Sequence, residues 1–230
     1  MKKLLIFIII ITGAAYLNSC TDNITNSTGT DVFKVSGKVE NWTNGNNKIV
    51  AVYNISGYPF KIGLDTAAIS NEGNFEFEIK NPLTENLDTL TISTGGSQCE
   101  GLISINPAET KYTSLVLEAY NAEDSLIGYI EKRNFETQLM PGAGFVYYIY
   151  IENNVSITGT EICSNITDTT ALNCNFTGNK GWQKICESID DITPTRITCS
   201  ISNLEPSNTK WYFYSLLDAK NSKHVNRFRF

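Results

Sequence analysis

Asn71-Glu72-Gly73-Asn74-Phe75-Glu76-Phe77-Glu78-Ile79 decides the fold class. The first four residues are turn formers. Asn and Gly accept the left-handed backbone that a tight reversal needs. From Phe75 the pattern changes to strict alternation. Phe75, Phe77 and Ile79 are apolar, and Glu76 and Glu78 between them are charged. Successive side chains of a strand point to opposite faces, so the segment puts three apolar groups on a core and two carboxylates in water. It predicts a half-buried antiparallel strand entered by a turn.

The same period of two runs outward in both directions. Phe33, Val35, Gly37 and Val39 alternate with Lys34, Ser36, Lys38 and Glu40. Asn44-Gly45-Asn46-Asn47 then turns the chain into a strand over Lys48–Tyr53, and Leu64–Ile69 follows. Downstream, Asp88–Ser93, Leu102–Ile105, Thr113–Tyr120 and Leu126–Lys132 read as strands. Tyr112–Ala122 can be forced onto a helix, but Thr113, Val116 and Tyr120 favour a pleated surface. Short strands divided by Gly and Asn turns predict a β-sandwich over residues 31–137.

Gln138–Gly144, with Pro141, Gly142 and Gly144, breaks any strand and is the expected domain boundary. Six further strands follow: Phe145–Ile151, Val155–Cys163, Ala171–Phe176, Trp182–Ser188, Arg196–Ser202 and Trp211–Leu216. They predict a smaller antiparallel β domain over 145–217, wound as a simple meander, with a polar tail over 218–230. The whole chain is expected to be all-β.

Cys163, Cys174, Cys186 and Cys199 are spaced by 11, 12 and 13 residues. In an oxidising compartment such spacing reads as disulfides, and neighbouring strands of a meander would bring the four together as two bridges. Sequence leaves the three pairings open. Zinc is disfavoured, because its structural sites bring ligands in close C-x₂₋₄-C pairs and none is present. Cys99 is expected to remain a buried thiol.

The oxidising compartment follows from Met1–Cys20. Lys2 and Lys3 precede the apolar run Leu4–Ile11, and small residues follow. That is the order of a secretory signal, too short to span a bilayer comfortably. Leu17-Asn18-Ser19-Cys20 resembles the bacterial lipobox. The resemblance implies cleavage before Cys20, leaving 1–19 as signal peptide, and lipidation of Cys20. Residues 20–30, polar except for Ile24, then read as a tether between lipid and fold. Thr21 after the Cys departs from the Asp that retains such proteins at the inner membrane. The resemblance therefore implies an envelope protein of the outer membrane.

Two further resemblances concern the folded part. Val35-Ser36-Gly37-Lys38-Val39 followed by Ser70-Asn71-Glu72-Gly73-Asn74-Phe75 resembles transthyretin-like or carboxypeptidase-regulatory-like β-sandwich modules. Gly101–Pro107, Gly181–Ile185 and Lys210–Tyr214 look like segments of an uncharacterised group of bacterial lipoproteins. Neither carries catalytic residues to transfer.

Charge and residue inventory narrow the function classes. The net charge of -6 excludes a nucleic-acid binder, which needs clustered Lys and Arg. The single histidine, His224, lies in the polar tail, and no nucleophile elbow, zincin helix, Walker loop or dinucleotide fingerprint appears. No catalytic residue and no cofactor is expected. Trp42, before the Asn44-Gly45 turn, and Tyr58, beside Pro59-Phe60, are the candidate ligand-contact aromatics. The expected partners are the membrane, through lipid on Cys20, and a glycan or a neighbouring envelope protein. The alternative is a carboxylate-dependent hydrolase of envelope or extracellular glycans.

Overall fold

The computed structural model describes residues 32–53, 62–94, 98–165 and 168–216. Within them the chain forms β1 (Val32–Glu40), β2 (Asn47–Tyr53), β3 (Ile62–Ile69), β4 (Asn74–Lys80), β5 (Asp88–Thr89), β6 (Gln98–Asn106) and β7 (Lys111–Tyr120). These are followed by β8 (Leu126–Arg133), β9 (Gly144–Ile151), β10 (Val155–Ser164), β11 (Thr169–Gly178), β12 (Gly181–Ile192), β13 (Arg196–Ser202) and β14 (Lys210–Ser215). A short 3-10 turn at Thr84–Asn86 interrupts them. The expected all-β class holds.

The deciding stretch behaves as its alternation demands. Gly73 takes φ 87° in the turn, and its N–H donates to the Ser70 carbonyl at 2.9 Å. Phe75, Phe77 and Ile79 are buried, while Glu76 and Glu78 stay exposed and pair with Lys34 on β1.

All fourteen strands join one sheet, mostly antiparallel, in the order β4-β1-β14-β8-β7-β9-β12-β13-β11-β10-β6. β2 and β5 also pair with β7, and β3 with β2. Two pairings are parallel, β1 with β14 and β11 with β13. The pairings cross the expected boundary at 138–144 in both directions. β14 lies between β1 and β8, β9 pairs with β7 and β8, and β6 pairs with β10. The first-half and second-half strands are therefore not separate sheets.

Two apolar cores lie against this sheet, and β9 divides them. Val146, Tyr148 and Tyr150 enter one core, with Phe33, Trp182 and Trp211. Ile149 and Ile151 enter the other, with Leu172, Phe176 and Ile185. A strand buried on both faces has no reason to alternate, which accounts for the unbroken apolar run of β9. Aromatic stacking binds the first core: Phe33 on Trp182 at 5.6 Å and Tyr148 on Trp211 at 5.8 Å. Such pairs contribute about 0.5–1.5 kcal/mol each beyond burial.

The second-half strands are not a simple meander, and this corrects the cysteine pairing. β13 inserts between β12 and β11, and β10 sits between β11 and β6. Cys163 on β10 therefore faces Cys99 on β6, with Cα atoms 4.0 Å apart, and the two form the disulfide. Cys174 faces Gly159 and Ile201, Cys186 faces Val146 and Ser202, and Cys199 faces Leu172 and Ile189. None of these three meets another cysteine across a strand. They are buried thiols, and burial pushes Cys174 up to about 12 and Cys186 up to about 11. Cys99, expected to be unpaired, is bridged instead.

Candidate functional site

The face of β9 that carries Ile149 and Ile151 continues across β7, β8 and β14. At one end it is covered by the second core, through Tyr112, Ile149 and Ile151. At the other end it carries a different set. Glu118 on β7 faces Tyr129 on β8, which faces Tyr214 on β14. One step along, Glu131 faces Tyr212. The intervening Leu117, Ile130 and Phe213 point the other way, into the first core. Period two thus sorts one set of strands into a packed side and a tyrosine-rich side.

Tyr120, Tyr129, Tyr212 and Tyr214 are all partly exposed. Glu118 is only 2% exposed, and its carboxylate accepts the Tyr120 hydroxyl at 2.8 Å. Burial, then that hydrogen bond and charge, push the Tyr120 phenol up to about 12. Burial also raises the Glu131 carboxyl, against the opposing pull of Arg133. The Arg133 guanidinium donates to Glu131 at 2.8 Å and lies 5.3 Å from the Tyr212 ring and 5.8 Å from that of Tyr214. Its Nε is buried without a hydrogen-bond partner among the described residues. At the margin with the second core, Tyr147 donates to Glu187 at 3.0 Å.

This arrangement offers rings for stacking and one partly exposed carboxylate, Glu131, paired with Arg133. Glu118 and Glu187 are buried and already accept tyrosine hydroxyls. It suits a neutral, hydroxyl-rich ligand better than an anion. As an acid–base pair it is weaker. Glu131 has the raised carboxyl that a general acid needs, but Glu187, which bears on the same Tyr147, is only 3% exposed.

The opposite side of β8 holds a second polar group. Lys132 (2.9 Å) and Lys184 (2.6 Å) both reach the Glu205 carboxylate, and the Thr209 hydroxyl donates to it. Burial alone would raise Glu205. The hydrogen bonds from Lys184, Thr209 and Lys132 outweigh it and hold the carboxyl at about 2. Lys132 shifts down because burial outweighs its gain from Glu205. With Lys132 5% exposed beside Trp211, this is a clasp closing the first core.

The expected site residues fall as follows. Trp42 is 8% exposed, with its indole N–H donating to the Gly45 carbonyl at 2.7 Å and its ring edge-on to Phe213. It caps the first core and is not an exposed ligand contact. Its one polar atom is satisfied by the turn that follows it, which lets the ring fold inward. Cys20, Tyr58 and His224 lie outside the described residues. The tyrosine face was missed. Its signal was the alternation Tyr129-Glu131-Arg133 together with Tyr212-Tyr214. In Trp211–Tyr214 four successive aromatics hid which two face outward.

The chain matches no protein-family model, no curated protein and no solved structure.

Proposed function

We propose that the chain is a non-enzymatic, lipid-anchored protein of the bacterial envelope, held at the outer membrane through Cys20, which binds a glycan on its tyrosine face. The supporting observation is the row Glu118, Tyr129 and Tyr214 with Glu131 and Tyr212 beside it. Partly exposed rings on a rigid sheet cost little entropy to present, and the neighbouring Glu131 carboxylate supplies orientation. The first core, with β1 and β4 stacked through Phe33 onto Trp182, is read as a β-sandwich of the transthyretin-like kind. The lipobox resemblance supplies the anchor.

Two experiments test this reading. A glycan array is probed with the purified chain and with Y129A and Y214A. Binding should fall at least about tenfold in each variant with the fold intact, as for loss of an aromatic anchor. Retained binding in both would remove the face from the reading. Lipid labelling in cells should disappear in Cys20→Ala, and persistent labelling would overturn the anchor. A second reading, hydrolysis by carboxylates, is favoured by one feature, the raised Glu131 carboxyl. Release of reducing sugar by the wild-type chain and not by E131Q would establish it.

A further inference from the structure

We propose that reduction of the Cys99–Cys163 disulfide opens a site for a borderline-soft divalent cation of the zinc class, held by both thiolates and the Glu161 carboxylate. This is independent of the tyrosine face. Glu161 and Cys163 are two residues apart on β10 and so share a face, and Cys99 stands directly opposite Cys163 on β6. The two sulfurs and a Glu161 carboxylate oxygen lie within 4.8 Å of one another. Gly101 faces Glu161, so no side chain intrudes from β6 at that row.

A structural staple accounts for the disulfide but not for how Glu161 is held. Its Oε2 accepts the Thr94 N–H at 3.0 Å and the hydroxyls of Ser93 and Thr94, each at 3.3 Å. Outer hydrogen bonds of this kind fix a carboxylate's orientation toward a metal. Two sulfurs and one oxygen match a zinc-class ion with a fourth position left to water. Cys99 is exposed on a strand that ends the sheet order, whereas Cys163 is 1% exposed. Cys99 is therefore the sulfur that an incoming thiolate reaches.

The chemistry balances with an external dithiol. The reductant attacks the disulfide and leaves as its own disulfide, passing two electrons and two protons to Cys99 and Cys163. Rotation about χ1 must then part the sulfurs to about 3.8 Å for a tetrahedral ion with metal–sulfur bonds of about 2.3 Å. Binding the cation expels the two thiol protons.

The test uses the full chain in detergent, as isolated and after dithiol reduction and anaerobic desalting. Cadmium is the spectroscopic probe, through its thiolate charge-transfer band, and zinc the calorimetric one. We expect one ion per reduced chain and none on the disulfide form. Glu161→Gln should weaken binding at least about tenfold while keeping the band. Three results would overturn the proposal: no ion bound by a reduced chain that keeps its β circular-dichroism signal, loss of that signal on reduction alone, or wild-type binding by the C99S C163S variant. The last would assign the band to the buried thiols.

Discussion

Glu205 is the residue on which the buried Lys132 charge depends. Its folded pKa of about 2 lies below the 4.5 of an ordinary Glu, so its stabilisation is complete above pH 4.5 and is lost as pH falls toward 2. At about 1.4 kcal/mol per unit the Glu205 shift corresponds to at most about 3 kcal/mol at neutral pH, from which the Lys132 shift subtracts. The Lys132 shift instead costs stability at neutral pH. Its folded pKa is lowered, so that cost is recovered as pH rises from that value to 10.5. Glu205→Gln strands Lys132 beside Trp211 and should cost about 3 kcal/mol in urea unfolding at pH 7. Near pH 3 the wild type has already lost more than half of the benefit, so the gap should shrink to about half or less. A gap constant from pH 7 to pH 3 would show that the carboxylate does not carry the clasp. None of this was legible in the sequence. Leu204-Glu205-Pro206-Ser207 reads as a polar loop, and its lysine partners are 21 and 73 positions away.

At the scale of single strands, Gly37 shows how tightly elements are fitted. It occupies a core position of the β1 alternation, between Val35 and Val39. A Cβ there would run into Cδ1 and Nε1 of Trp211 on β14, the strand paired with β1 two residues further on. Gly37→Ala should therefore cost about 1–3 kcal/mol by overpacking, with an unchanged urea m-value. Neutral or increased stability would mean that the indole can shift aside. The strands themselves were legible: all of those expected appear, because one-sided burial leaves a period of two. Asp88–Ser93 shrank to Asp88–Thr89, and Leu102–Ile105 lengthened to Gln98–Asn106. What period two cannot carry is partner choice. Cys163 lies on β10 between β6 and β11, within reach of either Cys99 or Cys174, and register decides. It stands opposite Cys99 on β6, whereas on β11 it stands opposite Thr170 and Cys174 stands opposite Gly159. The tyrosine face was hidden for a related reason, since an aromatic strand such as β14 shows no polar side.

Across the whole molecule, sequence order and spatial order separate. The first core takes Val146, Tyr148, Tyr150, Trp182, Cys186 and Trp211 from beyond the Gln138–Gly144 break. The disulfide closes a further link over a sequence separation of 64, worth about 4 kcal/mol on the chain-entropy account. A fragment ending at residue 137 tests whether the first half is a domain. It keeps every strand from β1 to β8, and with them the alternation that predicted a sandwich. It loses β14 from between β1 and β8, which leaves the β1–β4 pair hydrogen-bonded to no other strand of the fragment. It also loses Tyr148, Trp182 and Trp211, the rings that pack on Phe33 and Phe75, and each such aromatic buries about 150–250 Å². The fragment should therefore lack dispersed amide resonances and a cooperative melt. Adding the segment from 138 onward in trans should restore both, because β14 supplies the pairings that join β1 to β8. A fragment that melts cooperatively alone would show that its own strands close a core, and that β9, β12 and β14 only cover it.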